Sequence, residues 1–132
     1  MSKVLLIVSL IFFVQPGPGA KHQDDAIEVI TKSIEAGNTK EISKYLNSSV
    51  ILSILEDENV YSKTQSEMIL RNFFLKYPPI QVKLKHTGSS PEGMQYAICS
   101  YRTSSSSYRL FFYMKQSGSS TLINELRVES EK

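Results

Sequence analysis

The stretch SKTQSEMILRNFFLKYPPIQVKLK, Ser62–Lys85, decides the fold. Ser62 followed three residues later by Gln65 is a capping box, so a helix opens at about Lys63 and runs to Lys76. Met68, Ile69, Leu70, Phe73, Phe74 and Tyr77 cover more than one stripe, which predicts the most buried helix of the chain. Pro78-Pro79 stops it, because a proline disfavours helical geometry in the residue before it. Directly afterwards the period changes from helical to two. Ile80, Val82 and Leu84 alternate with Gln81, Lys83 and Lys85, the pattern of a half-buried strand.

Downstream the period of two continues. Gly88 to Gly93 reads as a hairpin loop, Met94 to Thr103 as a strand and Ser104 to Ser107 as a turn. Tyr108 to Lys115 is the next strand, Gln116 to Ser120 a second hairpin loop, and Thr121 to Glu129 the closing strand. Tyr108, Leu110, Phe112, Met114, Leu122, Leu126 and Val128 are expected to face inward.

Upstream, Asp24 or Asp25 caps a first helix whose stripe is Ile27, Ile30 and Ile34, and Gly37 ends it. Asn38 and Glu41 form a second capping box, opening a short helix with Ile42, Tyr45 and Leu46 on its apolar face. Val50 to Leu55 is a strand, with Val60 and Tyr61 as a brief partner after an acidic turn. The order is α-α-β-(β)-α-β-β-β-β, an α+β chain whose strands after the long helix read as an antiparallel sheet.

The first twenty residues stand apart. Lys3 precedes the apolar run Val4 to Val14, and Gln15 to Ala20 is rich in Pro and Gly. That is the layout of a cleaved signal peptide. Eleven residues rise roughly 16 Å as a helix, short of a ~30 Å hydrocarbon core, so a membrane anchor is the weaker reading. Residues 1–20 are therefore expected to be removed, leaving 21–132 as one exported domain, periplasmic or extracellular, with no membrane contact. Of 132 residues, 112 then remain, enough for a core without staples.

Composition narrows the chemistry. A single cysteine, Cys99, rules out an intramolecular disulfide and reads as a small buried strand residue. The formal charge of +2 falls to +1 without Lys3, and the charges are interspersed, so a nucleic-acid partner has no basic block to bind. His22 and His86 are too far apart for a metal site, and no cofactor motif is present.

Several stretches together resemble a family of small exported bacterial proteins of unknown function, common in Bacteroidetes-type bacteria, with an NTF2-like, cystatin-like superfamily fold. They are Ala36 to Leu46 (AGNTKEISKYL), Val60 to Leu70 (VYSKTQSEMIL), Phe73-Phe74, Pro78-Pro79, His86 to Ser90 and Tyr96-Ala97-Ile98. The resemblance spans the mature chain and implies a cone in which the sheet wraps the long helix. It brings no activity.

Isomerase and dehydratase members of that fold line the cone with acid–base groups. Here the inward positions are apolar or aromatic, so no catalytic residue is assigned. Candidate pocket residues are Tyr45, Tyr61 and Tyr77, which come from different elements and offer an apolar body with one polar tip. His86 is added as a possible acid–base group sharing the face of Val82 and Leu84, and Asn124 as the polar residue of the last strand. Each also reads as a core or strand-end residue. A small apolar ligand is the matching partner. The opposite sheet face offers Arg109, Phe111 and Tyr113, with Tyr101, Ile123 and Arg127 as cross-sheet neighbours, and suits a homodimer. The expected function is a non-catalytic binding or assembly module; an isomerase- or dehydratase-like enzyme is the alternative. A cystatin-type inhibitor is disfavoured, because Gln81-Val82-Lys83 lacks the glycine of a Q-x-V-x-G loop.

Overall fold

The computed structural model describes residues 22–131. The expected signal peptide lies outside the described residues. No helix among the described residues is long and apolar enough to cross a membrane.

The chain runs α1 (His22–Glu35), α2 (Thr39–Ser43), β1 (Leu46–Ile54), β2 (Asp57–Ser62), α3 (Lys63–Lys76), β3 (Gln81–Ser89), β4 (Met94–Arg102), β5 (Ser107–Ser117) and β6 (Ser120–Ser130). This is the expected order. The strands form one sheet in the order β2-β1-β6-β5-β4-β3, antiparallel except where β1 meets β6.

Local chemistry sets the boundaries. Ser62 and Gln65 complete both halves of the capping box of α3. Asn38 accepts from the Glu41 backbone N–H and caps α2. Gly37 takes a left-handed φ of +67° after α1, a conformation cheap only for glycine. Two starts differ from the sequence reading. Helix α1 begins at His22, ahead of Asp24. Strand β1 begins at Leu46 rather than Val50, because the Ile123 N–H donates to the Tyr45 carbonyl and Leu46 sits opposite Ile123 on β6.

The core lies between the sheet and the helices. Ile27, Ile30 and Ile34 of α1 and Leu70, Phe73 and Phe74 of α3 pack on Val50, Leu52, Leu110, Phe112, Leu126 and Val128. Helix α3 was expected to be the most buried helix, but it buries one face, Ser66, Leu70, Phe73 and Phe74, while α1 buries more of its described residues. Met68 and Leu75 stand 57% and 71% exposed.

Two β-bulges set which side chains face the core. Leu84 pairs with Cys99 but His86 pairs with Ile98, so Lys85 is an extra residue on β3. Tyr113 pairs with Glu125 but Met114 pairs with Ile123, so Asn124 is extra on β6. A bulge reverses the in–out alternation beyond it. Ile123 is therefore fully buried and the outward position opposite Lys115 falls to Leu122, the reverse of the simple alternation. Ile80 and Leu84 were expected inside, yet they are 61% and 43% exposed. Ile80 lies ahead of β3, and from Lys83 to Thr87 every residue of that strand is exposed.

Candidate functional site

The inner face comes first, because a pocket was expected there. Tyr101 and Tyr108 are opposite each other on β4 and β5, and both point inward. Phe73 of α3 lies against both, with ring centroids 5.6 Å from each. Tyr77 closes the group at 5.1 Å from Phe73 and 5.5 Å from Tyr108. Phe74 stacks on Tyr101 at 6.1 Å. The Tyr101 hydroxyl donates to the Tyr77 carbonyl, which satisfies the buried phenol. Burial pushes the Tyr101 phenol well above the usual range. Aromatic rings thus fill this part of the space between sheet and long helix.

Tyr101 was expected on the outer face, and this placement corrects it. Both alternations of β4 are half apolar, so the strand's own pattern does not choose between them. Pairing with Tyr108 does.

The pocket candidates do not meet. Tyr61 and Tyr77 flank opposite ends of α3, and a helix of 14 residues holds them about 20 Å apart. Tyr61 donates its hydroxyl to Asp57 on its own strand at 3.3 Å. Tyr45 lines a separate cavity of about 340 Å³ with Ala26, Lys44 and residues 119–122. Asn124, displaced by its bulge, accepts from the Asn47 side chain at 2.7 Å. His86 does not share a face with Val82 and Leu84; the Lys85 bulge turns it to the outer face, beside Tyr96.

No described group inside is poised for catalysis. Cys99 is fully buried, and burial pushes its thiol up to about 11, with a Thr31 hydroxyl contact at 3.8 Å pulling the other way. A thiol held neutral is a poor nucleophile. Among the described residues no three His, Cys, Asp or Glu side chains are grouped to hold a metal ion.

The outer face is ordered by strand register. One row across all six strands reads Glu58, Ser53, Arg127, Phe111, Ile98, His86, from β2 to β3. The next reads Val60, Ile51, Glu125, Tyr113, Tyr96, Gly88. Apolar side chains occupy the β5 and β4 positions of both rows and the β2 and β1 positions of the second, with Arg127 and Glu125 of β6 between them. Val60 and Ile51 are 62% and 40% exposed, and Phe111, Tyr113, Tyr96 and Ile98 are half-buried. The aromatic run continues through contact: Tyr96 lies 6.2 Å from Tyr113 and 5.9 Å from His86. The Tyr96 ring covers Gly88 so closely that a Cβ there would stand 2.3 Å from it. Any larger residue at 88 would push the Tyr96 ring aside, and the ring shields the strand where glycine has no side chain.

Charged side chains lie within these rows as well as beside them. Arg127 bonds Glu58 at 3.1 Å and approaches Glu125 at 3.3 Å. The hydrogen bond to Glu58 and the charge of Glu125 raise its pKa further. Arg109 meets Glu131 at 3.8 Å. Arg109, Phe111, Tyr113 and Arg127 therefore lie together on this face as expected from the sequence. What sequence reasoning missed was Tyr96, Ile98, Ile51, Val60 and His86. The signal was present in the alternation of β4 and β1, but assigning it required the pairing order.

Both sheet edges are blunted. Strand β2 is short and begins Asp57-Glu58. Strand β3 carries Lys83, the bulge at Lys85, and a Val82 N–H already donated to Glu35 at 2.9 Å. These devices discourage edge-to-edge pairing. They leave the outer face as the broad uncommitted surface of the sheet.

Comparison with known proteins places this geometry. No curated protein matches the sequence. A DUF4783 family protein from Bacteroides uniformis superposes with a TM-score of 0.75 at 20% identity, covering 80% of this chain and 96% of that one. One from Bacteroides ovatus gives 0.74 at 20% identity, covering 79% and 94%. A domain of unknown function with a cystatin-like fold from Nostoc punctiforme gives 0.66 at 8% identity, covering 83% and 77%. The curved sheet on one long helix is thus the NTF2-like, cystatin-like fold expected from the sequence. Residues 27–129 match the family described as "Domain of unknown function (DUF4783)", and the chain belongs to that family.

Proposed function

We propose that this protein is a non-catalytic, exported assembly module that works through the outer face of its sheet, and that its partner is a second copy of the chain. One observation carries the reading. The inner face is packed with helices and aromatic rings, while the outer face presents Ile51, Val60, Tyr96, Ile98, Phe111 and Tyr113 in two registered rows with no helix among the described residues over them. Apolar, aromatic-rich patches with a charged rim are the usual composition of a binding surface. Counting also the flanking rows of Arg109–Glu129 and Lys115–Leu122, five inter-strand spacings by three two-residue steps give a flat area on the order of 500 Å² before side-chain relief is counted. That approaches the ~800 Å² per partner of a standard interface. Export rests on the signal-peptide layout of residues 1–20.

The alternative, an isomerase- or dehydratase-like enzyme, needs an acid–base group in an open cone. The packing of Phe73, Phe74, Tyr77, Tyr101 and Tyr108 weighs against it, as it does against a small apolar ligand held there. The experiment is sedimentation velocity of the wild type and of Phe111→Asp/Tyr113→Asp. A wild-type dimer and a folded monomeric variant support the proposal. An unchanged mass for the variant, with the wild type dimeric, would place the interface elsewhere.

A further inference from the structure

The outer face is not evenly charged, and the division follows strand order. On the β3–β4–β5 half the outward charges are Lys83, Arg102, Arg109 and Lys115, with His86 as a ring N–H donor beside them and Lys85 displaced by its bulge. No Asp or Glu falls in those outward registers; a carboxylate just past β6, Glu131, meets Arg109 at 3.8 Å. On the β6–β1–β2 half they are Glu58, Glu125, Glu129 and Arg127, and Arg127 is already engaged by Glu58 and Glu125. Lys83, Lys85 and Lys115 make no ion pair among the described residues. The boundary between the halves runs between β5 and β6, through the middle of the sheet. Arg109 and Glu129 sit opposite each other across it.

Two identical faces stacked by a two-fold axis can meet in two simple ways. An axis across the strands lays each half on its own copy, base on base and acid on acid. An axis along the strands lays each half on the opposite one. Like charges brought together at an interface cost several kcal/mol, so complementarity selects between the two. Resting on the pairing proposed above, we infer that the second copy docks with the two-fold axis running along β5 and β6. The basic half of each copy then covers the acidic half of its partner.

The registers give this arrangement detail for aligned sheets. Strand β5 lies over the partner's β6, β4 over its β1 and β3 over its β2. Arg109 comes to the partner's Glu129, and His86 to the partner's Glu58. Phe111 comes over the partner's Arg127, an aromatic face against a guanidinium. Tyr96 meets the partner's Ile51, an apolar match, while Tyr113 comes over the partner's Glu125 and Ile98 over the partner's Ser53. A contact between residue i and partner residue j that is returned by j and i is what an isologous interface requires.

The test mixes two single-cysteine variants, His86→Cys and Glu58→Cys, and adds a short bis-maleimide. Native Cys99 is fully buried and stays unlabelled. In the inferred arrangement positions 86 and 58 of different copies face each other. The two copies of position 86 lie five strand spacings apart, about 24 Å, beyond the linker. The expected result is a covalent dimer in the mixture and none with either variant alone. Cross-linking of His86→Cys to itself, or none in a mixture that sediments as dimer, overturns the orientation and leaves the pairing standing. A mixture and wild type that are both monomeric overturn the pairing and the orientation together. As an independent reading, Arg109→Glu should weaken wild-type dimerisation at least tenfold at low salt, and an unchanged dissociation constant contradicts the inference.

Discussion

Phe111 and Phe112 are chain neighbours with opposite surroundings. Phe112 is fully buried among the helices; Phe111 is half-buried on the other side of the same strand. The whole sheet repeats that division. Its inner face is saturated: the rings touch, the Tyr101 hydroxyl is bonded, and Cys99 is shut away. Its outer face has the same kinds of residue in register, but among the described residues no helix packs on them. A saturated face contributes stability. An ordered, unsatisfied face is available for recognition. The difference locates the proposed activity outside the cone rather than within it.

The largest expected contrast comes from truncating each phenylalanine. Phe112→Ala should cost about 3–5 kcal/mol, close to the whole stability of a small domain. Phe111→Ala should cost less than about 1.5 kcal/mol in urea denaturation, yet shift the proposed dimer toward monomer in sedimentation. Equal losses of stability from both would erase the distinction between the faces.

Tyr101→Phe sharpens it. Removing the hydroxyl that reaches the Tyr77 carbonyl should cost about 1–2 kcal/mol and leave the oligomeric state unchanged. A change in mass without a change in stability would return Tyr101 to the outer surface. Gly88→Ala tests the outer face in the same range. The new Cβ forces the Tyr96 ring aside, at a cost of about 1–2 kcal/mol. The effect should largely vanish in a Tyr96→Ala background, as a double-mutant cycle would show.

Cys99 gives a readout of burial with little energetic weight. With its thiol held near 11 by burial, iodoacetamide at pH 8 should label the native protein at least a hundredfold more slowly than the urea-unfolded one. Comparable rates would mean that the inner face opens readily.

The fold was legible because its signals are local. The capping box at Ser62 and Gln65, the Pro78-Pro79 stop and the change of period after it are each fixed by neighbouring residues. The family resemblance in the α2 and α3 stretches agreed with them. Face assignment was less legible, for two physical reasons. A single extra residue at Lys85 or Asn124 reverses every side chain beyond it, and nothing in the sequence around either position marks the insertion. Strand β4 is apolar on both alternations, since Ala97, Cys99 and Tyr101 compete with Tyr96 and Ile98. Only the register with β5 settles which set goes inside. The pocket candidates failed to converge for a related reason. Residues from different elements can be named from sequence, but the length of α3 that separates Tyr61 from Tyr77 becomes a distance only in the fold.

Native mass spectrometry of the protein purified from a cell that exports it tests the separation of the two faces most directly. A species at twice the chain mass with no retained small molecule is the expected result. A monomer carrying a bound small molecule would contradict it, because the ligand would require an open interior and the single mass would leave the outer face without its partner.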